Sequence, residues 1–426
     1  MAHAPDLDHD YPLSEVPPGA RKGLLSTSIL LFGFTFFTAT MFAGGKMGLA
    51  LDFKTLIWAA IAGNLLLGLY AAVLSLIACR SGLNSVLMGR FCFGETGSKL
   101  SDFLLGFTQI GWYAWGTATI ALVLVKMLSL PTSWTIPLMV LFGFGFSLTA
   151  FVGYKGLDLL SRVAVPAMLA LLVWSLWIAT RDVGGLDGLL AIQPKESMSW
   201  HMAITLVFGT FVSGATQATN WTRFARNGKT AVLSSLVGFF IGNGLMIVVG
   251  AYGAMVYQQP DIVEVMVLQG LSIAAVVMLF LNLWTTQDNT IYNFAAAGCN
   301  LVRQDRRGTI TLVGAGIGTL LAIAGMSDML IPFLILLGSI IPPIGGVIMA
   351  DFFHARQGRY PQLSTTTLPR FNWVGLGAYA IGAVCAYVSP WVAPLVGIGV
   401  AALSYVVLFE IQRVRIARQQ LGSVSA

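Results

Sequence analysis

Polar side chains occur in this sequence where hydrocarbon-facing residues belong, and their spacing outlines a site for a small solute. Within an apolar stretch Gln109 precedes Trp112 by three residues, one helical turn, so an amide and an aromatic plate share a face. Such a pair suits a flat, neutral ring that hydrogen-bonds along one edge. Farther on, Asn282, Thr285 and Thr286 stand at i, i+3 and i+4, which places three neutral oxygens on one helix face. With carbonyls freed from a broken neighbouring helix, they are what a hard, weakly held cation such as sodium requires. For an isolated Thr-Thr pair the other reading is hydroxyls bonded back to their own helix. Two glycine-flanked stretches could supply the break: Thr35-Phe36-Phe37-Thr38 between Gly33 and Gly44-Gly45, and Thr210 to Ser213 between Gly209 and Gly214. Close helix packing is the competing role for these glycines.

The elements that position these groups follow from composition. Of 426 residues, 56% are hydrophobic and only 10% charged, whereas a soluble domain carries about 25% charged residues. Lipid must be the solvent. Apolar stretches long enough to cross a layer of about 30 Å recur twelve times. They cover 26–50, 54–79, 100–128, 132–153, 160–180, 203–221, 229–257, 263–290, 309–325, 329–351, 372–390 and 391–411. The alternation of a β-barrel is absent. Residues 1–22 are polar and proline-rich, which predicts a disordered tail before a first helix retained as an anchor. The cysteines are isolated, so neither disulfides nor a zinc site is expected.

The net charge of +6 is topological rather than a nucleic-acid footprint. Of 24 lysines and arginines, 19 fall on the side of the N-terminus, leaving Lys46, Lys54, Lys126, Arg181 and Lys195 opposite. The positive-inside rule then places both termini in the cytoplasm, and the inner membrane is the expected location for the helical spans. Trp58, Trp134, Trp200, Trp373 and Trp391 lie near span ends, as interfacial tryptophans do, whereas Trp112 lies deep in the third span.

Internal echoes suggest a duplicated fold. Thr35-Phe36-Phe37-Thr38-Ala39 resembles Thr210-Phe211-Val212-Ser213-Gly214 at an offset of 175 residues, and Gln109/Trp112 resembles Asn282/Thr285 at 173. Both offsets correspond to five helices. The predicted organisation is a tail at 1–22, a first repeat at 23–180, an extracytoplasmic loop at 181–202 and a second repeat at 203–351. A cytoplasmic loop at 352–371, two additional helices at 372–411 and a tail at 412–426 complete it.

Enzymatic signatures are lacking: HExxH, paired CxxC and a phosphate loop do not occur. Gly314, Gly316 and Gly318 resemble a nucleotide fingerprint, but they fall inside a span where small residues let helices approach. His3, His9, His201 and His354 lie in tails or near loops, which speaks against a histidine relay. Asp288 is expected near the cytoplasmic end of its span, solvated, and is the acid to test if protons replace sodium. An amino-acid carrier would need groups to neutralise a carboxylate and an ammonium, which this set lacks. A passive channel stays open as a reading.

The stretches ARKG (20–23), LLFGFTFFTATMFAGG (30–45), GNLLLGLY (63–70), TQIGW (108–112), RFARN (223–227), LNLWTTQDN (281–289) and IPPIGGVIMAD (341–351) together resemble the nucleobase:cation symporter-1 family over residues 20–410. The likeness is greatest to its cytosine-carrying bacterial members. It implies an all-α polytopic membrane protein of about twelve helices with the leucine-transporter-like five-plus-five inverted repeat, spans 1 and 6 broken. It implies sodium-coupled import of cytosine by a protein that is not an enzyme, acts as a monomer and needs no cofactor beyond the coupling ion. Uracil, hydantoin or allantoin is the alternative cargo, and protons the alternative ion. Carried onto this sequence, the ring stacks between Trp112 and Phe211 with Phe37 nearby. Asn282 and Gln109 read its edge, with Ser213 and Thr210 as further partners. Sodium takes carbonyls of Gly33, Phe36 and Asn282 and the hydroxyls of Thr285 and Thr286. Thr210 stands where the family usually has serine, and Gln217, Asn220 and Trp221 also depart from its pattern.

Overall fold

The computed structural model describes residues 11–424. Among them eight helices are each long and apolar enough to cross a membrane. These are Phe53–Ser81, Ser98–Met127, Thr132–Val152, Lys155–Asp182, Trp200–Thr222, Gly228–Tyr257, Pro332–Ala355 and Ala393–Gln420. Leu24–Thr35 and Thr38–Ala50 form one more as a pair bent by 56°. The shorter apolar helices Arg307–Ile323 and Trp373–Val388, with Ser272–Val302, bring the candidate spans to twelve. Spans are numbered below in chain order, from the bent pair as the first to Ala393–Gln420 as the twelfth.

The first ten spans form a leucine-transporter-like fold, and their contacts carry its internal symmetry. The first span packs most extensively on the seventh, and its counterpart the sixth packs on the second. The third lies along its own counterpart, the eighth, while the ninth packs on the third as the fourth packs on the eighth. Spans 1, 2, 6 and 7 thus make one bundle against a scaffold that includes spans 3, 4, 8 and 9. Trp58, Trp134, Trp200, Trp373 and Trp391 are exposed, as an aromatic belt requires, and Trp112 is buried.

Sequence expectations need correction at two places, the eighth span and the N-terminal segment. The eighth span runs from Ser272 to Val302, not over 263–290. Residues Ile262–Leu268 form a separate short helix, capped by the Asp261 carboxylate on the Val263 N–H and ended at Gly270 with φ of 77°. Apolarity misplaced the boundary because the second half of the span carries Gln287, Asp288, Asn289, Asn293 and Asn300, all facing protein rather than lipid. Asp288 is accordingly buried at the middle of the span, not solvated near its end.

The N-terminal segment is the second correction. Residues 1–10 lie outside the described residues, but residues 11–22 are packed rather than disordered. Val16 and Ala20 are buried, the Arg21 guanidinium donates to the carbonyls of Cys79 and Ala225, and the Leu363 N–H donates to Glu15. The polar composition that suggested disorder instead supplies partners for helix-end carbonyls. At the C-terminus, where 412–426 is expected as a tail, the last helix continues to Val424 with residues 412–420 exposed.

The glycines divide by role. A Cβ on Gly44 would collide with the carbonyl of Ile247, and one on Gly250 with that of Met41, so these residues let the first and seventh spans touch backbone to backbone. Gly314 and Gly318 likewise admit the rings of Phe294 and Tyr113, which is the packing reading of that motif. Gly316 faces open space. Gly250→Val should therefore destabilise the purified protein in detergent by about 3 kcal/mol, the upper end of typical overpacking costs. Gly316→Ala should be neutral or slightly stabilising in the same thermal melts.

Candidate functional site

The first helix stops at Thr35 and resumes at Thr38, with Phe36 (ψ 90°) and Phe37 (φ −136°, ψ 127°) extended between. Neither is glycine, and neither dihedral pair demands one. The break is held from outside, by the eighth span. The N–H of Thr38 donates to Asn282 Oδ1 at 2.8 Å, and Thr286 Oγ1 donates to the Phe36 carbonyl at 2.9 Å, with the Phe34 carbonyl at 3.4 Å. A lipid-embedded chain cannot leave such groups unpaired, so the side chains of one helix replace the ladder that the other has lost.

The same contacts collect neutral oxygens. Thr285 Oγ1 bonds back to the carbonyls of Leu281 (3.0 Å) and Asn282 (3.1 Å), as the alternative reading of the threonines required, whereas Thr286 reaches across to the first span. The Gly33 carbonyl receives the Phe36 N–H at 3.3 Å. The side chain of Asn282 is committed to Thr38, while its backbone carbonyl accepts from Thr285 Oγ1. Ser161 of the fifth span escaped sequence reasoning: its buried hydroxyl has no hydrogen-bond partner, and a Cβ built on Gly33 would lie 2.9 Å from it. A single serine in an apolar span gave no signal.

On the other side of the break the aromatic rings converge. Phe37 stands between Trp112 (5.3 Å between centroids) and Phe211 (6.2 Å), edge-on to both. Trp115 and Phe333 complete the wall, with centroids 5.4 Å from Phe37 and Trp112 respectively. Trp112 Nε1 donates to Ser213 Oγ at 3.3 Å, joining the third and sixth spans. Thr210 is placed differently from its expected role: its hydroxyl donates to the Val207 carbonyl and accepts from Asn243, inside the bundle. The sixth span stays helical through Gly209 to Gly214 and is interrupted only at Ala218, so its discontinuity lies nearer the terminal side than the glycines suggested.

The amides are oriented. Asn282 Oδ1 faces a backbone N–H, so its Nδ2 is the free end, and that atom is buried without a partner. Gln109 Oε1 accepts from Asn293 at 3.3 Å, leaving its Nε2 likewise unpartnered. Gln217 donates to the Leu105 carbonyl at 3.2 Å and leaves Oε1 free. Two donors and one acceptor are thus buried and unsatisfied on three helices, the kind of deficit that a polar ligand fills.

Residues 15–408 match the family described as permease for cytosine/purines, uracil, thiamine, allantoin. The chain belongs to this family. It is a nucleobase:cation symporter-1 transporter, not an enzyme, and is 38% identical over 401 residues to the cytosine permease of Escherichia coli (strain K12), covering 94% of each chain. A hydantoin permease of Microbacterium maritypicum is 24% identical, with 90% of this chain and 85% of that one covered. Among solved structures, Mhp1 in a closed conformation with bromovinylhydantoin bound superposes with a TM-score of 0.84 over 93% of this chain and 94% of its own. At 21% identity that likeness speaks for the fold.

Access to the permease's site is asymmetric. A cavity of about 490 Å3 is lined by Thr38, Phe42 and Trp115 at one end and by Asp261, Ser327 and Asp328 from the loops opposite the termini. On the terminal side the bundle meets the scaffold through packed polar groups and the stacked rings of Trp221 and Tyr292. If the ring wall binds substrate, Trp112→Ala should weaken equilibrium binding of radiolabelled cytosine by about 1–3 kcal/mol, the cost of losing one aromatic partner. Thr210→Ala, whose hydroxyl serves the bundle, should leave that affinity within about twofold.

Proposed function

We propose that this permease imports cytosine with sodium by alternating access, in the inner membrane, as a monomer with both termini cytoplasmic. The observation that carries the reading is the double commitment of Asn282. Its side chain holds the broken first span and offers Nδ2 to the ring, while its backbone carbonyl lies 3.1 Å from Thr285 Oγ1 among the oxygens suited to sodium. Cytosine offers adjacent acceptors, O2 and N3, to the two amide donors, and its amine to an acceptor such as Gln217 Oε1. Uracil sets an N–H where N3 accepts, which leaves a buried donor unpaired at about 1–3 kcal/mol. Trp112 and Phe211 supply faces for the ring, Phe37 stands between them, and Ser213 completes the edge.

Sodium would be held by carbonyls of Gly33, Phe36 and Asn282 and hydroxyls of Thr285 and Thr286, with Ser161 beside Gly33. The ion stabilises the arrangement of first and eighth spans that forms the base site, so each ligand favours the other by the same factor. A neutral base gains nothing from the membrane potential, whereas one sodium ion gains about 2.3 kcal/mol per 100 mV. The positive-inside distribution makes the cavity face the exterior, the loading side for import.

Replacing sodium by choline should lower cytosine affinity about 5- to 150-fold, the usual span of coupling energies. Thr286→Ala, which removes the hydroxyl bridging the two spans, should reproduce that loss even in sodium. Proton coupling is favoured by one observation, the burial of Asp288 at mid-span with Thr149 and Asn289 as hydrogen-bond partners. Uptake into liposomes that follows a pH gradient and ignores sodium would transfer the coupling role to it.

A further inference from the structure

Gln109 lies at the end of a chain of side-chain amides. Asn84, at the start of the short helix Ser85–Phe93, caps that helix by accepting the Leu87 N–H on Oδ1 at 3.0 Å. Its Nδ2 donates to Asn220 Oδ1 at 2.7 Å, Asn220 Nδ2 donates to Asn293 Oδ1 at 2.7 Å, and Asn293 Nδ2 donates to Gln109 Oε1 at 3.3 Å. All four residues are buried, and Gln109 Nε2 is the unpartnered end.

We propose that Asn84, Asn220 and Asn293 are positioning residues that fix which end of the Gln109 carboxamide meets the transported ring, and thereby set substrate choice. The inference rests on the reading of Gln109 as a substrate contact. A carboxamide is nearly symmetric in shape but not in polarity, and a half-turn exchanges donor for acceptor. A lone glutamine can therefore serve either a cytosine or a uracil edge. In a chain, each amide dictates the next, because reversing one sets donor against donor or oxygen against oxygen. The Leu87 N–H is a backbone donor that cannot become an acceptor, so it fixes the direction of the whole series. Read outward, the series delivers an N–H to the site, which favours a ring that accepts at that position.

The relay also crosses the interface on which the transport cycle depends. Asn220 belongs to the sixth span and Asn84 meets it from the turn after the second, whereas Asn293 and Gln109 belong to the eighth and third. Parting the sixth span from the eighth on the terminal side breaks the Asn220 to Asn293 bond and frees Gln109 to turn. Selection is then strict while that side is closed and relaxed where the substrate leaves.

Competition binding of cytosine and uracil to the purified, sodium-loaded protein tests the relay. Asn293→Leu and Asn220→Leu should each reduce the preference for cytosine over uracil at least tenfold, with sodium affinity unchanged within about twofold. In the Gln109→Leu background the same substitutions should leave the remaining preference unaltered, because there is no amide left to orient. Asn220→Asp gives a second arm that preserves volume. Once ionised it accepts from both neighbours, turns Asn293 and Gln109 round, and shifts preference toward uracil as pH rises, while wild type stays flat. Wild-type selectivity retained in both leucine variants, or a pH-independent preference in Asn220→Asp, overturns the relay alone. A wild-type protein that binds neither ring overturns the reading of Gln109 with it.

Discussion

The structure depends on one substitution of hydrogen bonds: at Phe36 and Phe37 the first span abandons its own ladder, and the eighth span takes its place. In water such a break could be solvated, but within a bilayer each orphaned N–H or C=O costs several kcal/mol. Asn282 and Thr286 answer the N–H of Thr38 and the carbonyl of Phe36. The consequence is that no part of the site belongs to one helix. The oxygens suited to a cation are shared between the two spans, and the rings of Phe37, Trp112 and Phe211 meet beside the same break. Moving either span relative to the other must change both halves of the site together.

Under the proposed function, such a site selects by unpaired polar groups rather than by charge. The buried ends left over are amide donors from Asn282 and Gln109 and an amide oxygen from Gln217, and each is oriented by a bond at its opposite end. Orientation matters because a free amide is indifferent to donor and acceptor edges. The surrounding fold provides fixed backbone groups at Thr38, Leu105 and Leu87 from which those orientations propagate. Polar residues of the eighth span that would be intolerable in lipid are stable here because they face the third span and the bundle. The Tyr113 carbonyl, for instance, receives the Gln287 amide at 2.5 Å.

Much of this was legible in the sequence because it follows from one-dimensional quantities. Apolar length gave a polytopic all-helical chain, and the spacing of Asn282 and Thr286 the face that grips the first span. What failed did so for three-dimensional reasons. The eighth span was placed too early because hydropathy assumes that polar helix residues face water. Glycines were read as weak points, yet Gly44 and Gly250 serve backbone contact while the break falls on two phenylalanines. Thr210 looked equivalent to Ser213 one turn away, but its hydroxyl meets Asn243 inside the bundle whereas that of Ser213 accepts from Trp112. Asn293 and Ser161 gave no sequence signal, since their importance lies in which atoms of other spans they face.

The central claim is that Asn282 joins the base site to the cation site through the broken first span. Calorimetric titration of sodium with and without saturating cytosine tests it most directly, in wild type and in Asn282→Ala and Gln109→Ala. The account predicts that cytosine tightens sodium binding in wild type by the factor with which sodium tightens cytosine. It also predicts that Gln109→Ala binds sodium alone as wild type does, and that Asn282→Ala loses affinity for sodium alone as well as for cytosine. Sodium binding in Asn282→Ala that matches wild type, at the same affinity and with the same response to cytosine, would contradict it.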